Sequence, residues 1–221
     1  MLPNASIAGT RLMFALPPKG RLHPNSEHDP LPYYYHPWVG WLYRHRLQMG
    51  LDLLPSHGSR VLEVGVGSGV LVPTLTRRYP CYMGTDLALA AGLAELVSPG
   101  CQATFRSADL LAHDLPAREF DVVVCFSVLE HIHDCDGAAR GLARALSPGG
   151  TLVAGYPMVS PLMRWGFNAI GYFTIDDQHV SHPGQIDRAL RTVLRPVKRR
   201  TFPPFAPLSA ALYQCTSWTT P

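Results

Sequence analysis

Three acidic residues stand in order along the chain, on successive predicted strand ends: Glu63 in VLEVGVGSG, Asp86 after CYMGT and Asp109 before the apolar pair of SADLL. Between the first two lies Gly65-Val-Gly67-Ser-Gly69. Glycines so spaced let the backbone turn sharply and let a ligand come close to it. The dinucleotide fingerprint GxGxxG is not met, because the third glycine comes one residue early and position 70 is Val. A nicotinamide oxidoreductase is thereby disfavoured. Asp86 follows Gly69 by 17 residues, and an acid about 20 residues beyond such a loop accepts hydrogen bonds from ribose hydroxyls. It also opens a predicted helix, so capping is the competing role. Glu63, in a strand that should be buried, is costly without a partner. Asp109 could accept from an adenine amino group, with Leu87 and Leu110 on the two ring faces.

The histidines offer bases, since imidazole titrates at ~6.5. His131 follows FDVVVCFSVLE, and His179 and His182 lie in DDQHVSHP. His131 and His179 are the candidate catalytic residues, and Pro183 puts His182 at a helix start. Packing near the site is the alternative for His131, and a solvated loop for the other two. A metal on His131, His133, Asp134 and Asp136 is not expected, because these ligands share one short loop with no thiolate or distant carboxylate. Tyr33, Tyr34, Tyr35, His36 and Trp38 either pack the N-terminal arm or form a lid, with a tyrosine hydroxyl or Arg44 reaching the ligand. Arg188, Arg191, Arg195, Lys198, Arg199 and Arg200 form the basic concentration. A solvated face is its default reading; an anionic substrate or a lipid surface are the alternatives. No RNA-binding module is appended, so nucleic acid is not an expected partner.

The elements that must position these residues alternate. Predicted strands are Arg60–Val64, Cys81–Thr85, Ala103–Arg106, Phe120–Phe126, Thr151–Tyr156, Lys198–Phe202 and Ala211–Trp218. Helices are predicted over 38–54, from the glycine loop to about Arg78, and over Asp86–Val97, Asp136–Leu146 and 183–194. FDVVVCF is a near-continuous apolar run, the mark of a parallel strand covered on both faces. The alternation predicts an α/β doubly wound, mostly parallel sheet in one domain over 1–221. Residues 1–37 are its arm, irregular to about residue 32, and 158–182 an aromatic, substrate-side insertion. In that insertion Trp165, Phe167, Tyr172 and Phe173 are candidate walls of a pocket.

The chain of 221 residues, with 16% charged and 47% hydrophobic residues, has a globular balance rather than a disordered one. A net charge of +3 does not argue for nucleic acid. Five scattered cysteines without a CxxC pair suit reduced thiols. A signal peptide and a membrane span are not expected, and the expected location is the cytoplasm.

The sequence resembles the class I S-adenosylmethionine-dependent methyltransferases of the small-molecule type. The resemblance rests on LEVGVGSG at 62–69, Asp86, ADL at 108–110, FDVVVCFSVLEHI at 120–132 and LSPGGTLVAGYP at 146–157, and so covers about residues 60–157. It implies a seven-stranded Rossmann-like sheet whose last strand is antiparallel. It also implies S-adenosyl-L-methionine contacts at Glu63, Gly65, Gly67, Asp86, Leu87, Asp109, Leu110 and the Phe126–Ser127 backbone. Glu63 would order the loop and face the cationic methionine part. The Asn/Asp-Pro-Pro-aromatic motif of methyltransferases acting on amino groups of nucleobases or glutamine is replaced by CFSVLEHI. The expected reaction is methyl transfer to a small-molecule acceptor, at oxygen, with the histidines as bases. The alternative is an S-adenosylmethionine-binding protein of this fold that does not methylate, regulatory or cyclase-like.

Overall fold

A computed structural model describes residues 11–27, 29–112, 114–158, 180–205 and 207–221. His179 and the aromatic residues of the predicted insertion lie outside them. Seven strands form one sheet: β1 (Arg60–Val64), β2 (Cys81–Asp86), β3 (Gln102–Ser107), β4 (Phe120–Phe126), β5 (Leu146–Pro157), β6 (Arg195–Phe202) and β7 (Tyr213–Thr219). Their order is β3-β2-β1-β4-β5-β7-β6. β1 to β5 pair in parallel, and β7 runs antiparallel between β5 and β6. The strand order reverses between β1 and β4, which opens a crevice beyond their carboxyl ends.

The helices are α1 (Leu31–Tyr34), α2 (Gly40–Leu51), α3 (Val72–Thr76), α4 (Cys135–Ala145) and α5 (Pro183–Val193). Alternate residues of the central strands feed two cores. Val61, Val122, Val124 and Phe126 pack with Leu47 and Leu51 of α2 and Leu75 of α3. Leu62, Val64, Val123 and Cys125 pack with Leu142 of α4, Ile186 and Leu190 of α5, and Trp218. Burial on both faces is why β1 and β4 read as apolar runs rather than alternating ones. Glu63, the fully buried carboxyl of these two strands, therefore had to find a partner inside.

The arm is tied to α2. Arg11 grips Asp52 through two bonds of 2.7 and 2.8 Å. Gln48 accepts from the Phe14 amide and donates to the Leu12 carbonyl. Among the described residues no helix is long and apolar enough to cross a membrane.

Three expectations change. The helix over Asp86–Val97 does not form: Gly92 takes φ 75°, and a single 3-10 turn follows at Leu93–Leu96. Leu93 and Leu96 press on the glycine loop instead, where a β-carbon on Gly69 would meet them at 2.6 and 2.8 Å. The helix after the loop is confined to Val72–Thr76. β5 begins at Leu146, with Pro148–Gly150 as an irregularity between the pairs Phe120–Leu146 and Val122–Thr151.

Candidate functional site

A cavity of about 820 Å³ lies at the carboxyl ends of β1, β2 and β4, a volume suited to a small-molecule ligand. Glu63, Gly65, Gly67, Asp86, Leu87, Asp109, Leu110 and Ser127 all line it, as does His131. Asn25, Asp29 and Tyr34 bring the arm into its wall.

The glycine loop turns against β4. Gly65 has φ 80°, and a β-carbon there would lie 2.1 Å from Val128 Cγ2. The loop amides are already engaged: Gly65 and Val66 donate to the Thr85 carbonyl, Gly67 to Asp86 Oδ2 at 2.8 Å and Gly69 to the Val66 carbonyl. These amides therefore do not form a phosphate cradle, which agrees with the missing dinucleotide spacing. Asp86 Oδ1 also accepts from the Leu87 amide at 2.8 Å. Asp86, not Glu63, is thus the acid that orders the loop, and no helix follows for it to cap.

Glu63 is buried, and Tyr82 Oη on the neighbouring strand donates to its Oε2 at 2.6 Å. Burial pushes the Glu63 carboxyl up to about 8; the Tyr82 bond opposes the rise and the charge of Asp86 adds to it. A cation placed beside it would favour its ionised form. Asp109 closes a local turn through the Leu111 amide at 2.8 Å. The predicted pair of apolar walls is unequal: Leu110 is 6% exposed and Leu87 72%.

Arg44, expected to reach the ligand, instead donates to the Tyr34 carbonyl at 2.6 Å. It is Arg46 that lines the cavity, and no other Arg or Lys does so among the described residues. Its guanidinium lies 4.3 Å from the Tyr43 ring centre, with Tyr34 and Tyr213 further out. Tyr34 Oη accepts from it at 3.2 Å, and Nε has no hydrogen-bond partner among the described residues. Desolvation works against its charge, but Tyr34, Tyr213 and Tyr43 outweigh it and hold its pKa above the ordinary arginine value. Gly50, one turn along α2, lets the helix approach β4, since a β-carbon there would sit 2.2 Å from the Phe126 ring.

Beyond β4, Ser127 adopts φ 55°, a strained conformation for a non-glycine residue of the kind that gathers at functional sites. Its amide donates to the Gly155 carbonyl at 2.8 Å, and its hydroxyl meets Tyr213 Oη at 3.0 Å. The 3-10 turn Leu129–His131 follows. His131 is exposed at the cavity edge, whereas Glu130 is buried. Burial pushes the Glu130 carboxyl up to about 7, against its own backbone amide and Arg46. Its Oε2 has no hydrogen-bond partner among the described residues.

Asp29, Glu63, Asp86 and Asp109 set four carboxyl groups against one guanidinium around the cavity. That balance suits a ligand with a cationic part and hydroxyls, and it repels a polyphosphate. A family profile described as a methyltransferase domain matches residues 41–193. The chain belongs to this methyltransferase family. The ubiquinone biosynthesis O-methyltransferases of Pseudomonas fluorescens and Paracidovorax citrulli are 35% and 36% identical to it, over 98 and 104 residues. The matches span 42% and 44% of this chain and 42% and 43% of those enzymes, so well under half of each relative is represented. In fold, the chain is similar to the N-methyltransferase NodS of Bradyrhizobium japonicum in complex with S-adenosyl-L-homocysteine, with TM-score 0.65 and 20% identity over 90% of this chain and 95% of that one. It is also similar to the cyclase SpnF, with TM-score 0.62 and 17% identity over 90% and 86%.

The methyltransferase cavity fits the family's cofactor, S-adenosylmethionine. Glu63 could hold its ammonium, Arg46 its carboxylate and Asp86 its ribose hydroxyls, since all three line the cavity. Asp29 and Arg46 escaped the sequence reading. Asp29 binds the Asn25 and Leu31 amides at the entry to α1, and its place before Pro30 was the available signal. Arg46 had none beyond its two-residue offset from Arg44. His182 sits at the start of α5, where its amide donates to Gln185 Oε1 at 2.9 Å; it does not line the cavity. Among the described residues no group of three or more His, Cys, Asp or Glu is placed to hold a metal.

Proposed function

We propose that this chain transfers a methyl group from S-adenosylmethionine to a hydroxyl oxygen of a small molecule. The observation that carries the reading is the placement of Glu63, Asp86 and Arg46 around one cavity that also reaches His131. S-adenosylmethionine, when bound, supplies an electrophilic methyl carbon on a sulfonium. Asp86 and Asp109 hold the nucleoside end, with Leu110 as the buried apolar wall and Leu87 at the rim. Glu63 takes the ammonium and Arg46, with the Tyr34 hydroxyl, takes the carboxylate. The arm, through Asn25, Asp29 and Tyr34, acts as a lid that excludes water and fixes the approach of the acceptor. His131 accepts the proton that the acceptor hydroxyl loses as its oxygen attacks.

Oxygen is supported as the acceptor atom by a histidine at the cavity edge and by relatives named as O-methyltransferases. A small molecule is supported over nucleic acid because no Arg or Lys besides Arg46 lines the cavity among the described residues.

Titration calorimetry with S-adenosylhomocysteine and NADH, followed by methyl transfer to catechol and a panel of simple phenols, tests the reading. Binding of the first ligand alone, with turnover that falls in His131→Ala, is the expected result. Tight binding of NADH alone would sink it. Binding of S-adenosylmethionine with no turnover on any acceptor would instead favour a protein of this fold that does not methylate.

A further inference from the structure

The outer side of α2 and the end of β6 carry large apolar side chains in the open. Trp38 is 81% exposed, Trp41 51% and Phe205 100%, and Val197 and Leu208 are exposed as well. Trp41 on α2 and the end of β6 meet. The ring of Phe202, at the end of β6, meets Trp41 edge-on at 5.5 Å and His45 at 5.1 Å. Phe205 and Leu208 lie just beyond Phe202 in the connection to β7. A lone exposed apolar residue is ordinary, but a contiguous group marks an interaction surface.

The charge on the same segments selects the partner. α2 and β6 themselves contain no Asp or Glu and six Arg and Lys. Arg191 and Arg199 pair with Asp187, and Arg200 with Asp52. Arg195 and Lys198 of β6 are exposed. A second copy of this chain would set like charge against like charge, which disfavours self-association through this face. Protruding tryptophan and phenylalanine, with exposed Arg195 and Lys198 further along the adjoining strand, is the composition of a surface that rests in the headgroup layer of an anionic bilayer.

We propose that the face built by Trp38, Trp41, Phe205, Leu208 and the basic strand β6 docks on an anionic lipid surface. The arm and α2 also wall the cavity through Tyr34 and Arg46, so docking brings the cavity alongside the bilayer.

The test is sedimentation of the full chain with phosphatidylcholine vesicles, with and without phosphatidylglycerol. At least tenfold greater partition onto the anionic vesicles, lost in high salt, is expected. Trp38→Ser with Phe205→Ser, and separately Arg195→Glu with Lys198→Glu, should each lower partition tenfold or more without altering thermal unfolding. Brominated lipid should quench tryptophan emission in the wild type and much less in Trp38→Phe with Trp41→Phe. No partition, or equal partition of wild type and variants, overturns the proposal. So does a wild-type dimer in sedimentation velocity that the Trp38→Ser, Phe205→Ser variant abolishes, which would assign the face to a second copy.

Discussion

Tyr82 and Glu63 face each other across β2 and β1, joined by a 2.6 Å hydrogen bond at the floor of the cavity. The bond gives the Glu63 carboxyl a partner, but burial still pushes it up to about 8 from an ordinary value of 4.5. Between those values the folded protein holds a proton that the unfolded chain has released. Stability without ligand therefore falls as pH rises through that window, with a slope approaching ~1.4 kcal/mol per pH unit in its middle. Glu63→Gln should flatten the slope. Denaturant titrations at a series of pH values read it directly, and equal slopes in the two proteins would remove Glu63 as the source.

The same proton should leave when ligand binds. A cationic ammonium beside Glu63 favours its ionised form. Binding of S-adenosylhomocysteine near pH 7 should release up to one proton and tighten as pH rises toward 8. Calorimetry in two buffers of different ionisation enthalpy measures that release. Glu63→Gln should abolish it, and an undiminished release in that variant would place the proton elsewhere.

Asp86 has one task in the fold and a second that we propose for it. It orders the loop through the Gly67 amide and is assigned to the ribose hydroxyls. Asp86→Ala should weaken S-adenosylhomocysteine binding by ~1–3 kcal/mol, the cost of lost bonds to a charged group. A folded variant with wild-type affinity would remove Asp86 from the site.

The sheet was legible because burial on both faces leaves a mark in composition, as FDVVVCF shows, and because the glycine loop and ordered acids have fixed places on strand ends. The helix over Asp86–Val97 was misread because alanine and leucine satisfy a helical pattern in any register, while the left-handed turn at Gly92 depends on Leu93 and Leu96 packing against Gly69. Arg44 and Arg46 are both plausible cations on the same helix. Only the rotation of α2 about its axis, set where Gly50 meets Phe126, decides that Arg44 turns to the Tyr34 carbonyl and Arg46 to the cavity. That rotation is a tertiary property with no local signature.

Gly50 should therefore tolerate no side chain. A β-carbon 2.2 Å from the Phe126 ring must displace either the helix or the ring. Gly50→Ala should cost ~1–3 kcal/mol of stability, the range for overpacking a filled core, even though alanine favours helix. It should also weaken S-adenosylhomocysteine, because α2 carries Arg46. Thermal melts and calorimetry on the same preparation check both. Unchanged ligand affinity in a destabilised variant would uncouple α2 packing from the site.

Arg46 gives the sharpest division between the two ends of the ligand. If it takes the methionine carboxylate, Arg46→Gln should weaken S-adenosylhomocysteine by ~1.5–3 kcal/mol, the range for a hydrogen bond to a charged group. Adenosine, which lacks the amino-acid tail, should bind wild type and variant alike. The rings of Tyr34, Tyr43 and Tyr213 around the guanidinium favour a planar cation, so Arg46→Lys should restore only part of the loss. Competition calorimetry with the two ligands on three proteins completes the comparison. Equal losses for adenosine and S-adenosylhomocysteine would mean that Arg46 supports the wall of the cavity rather than the carboxylate.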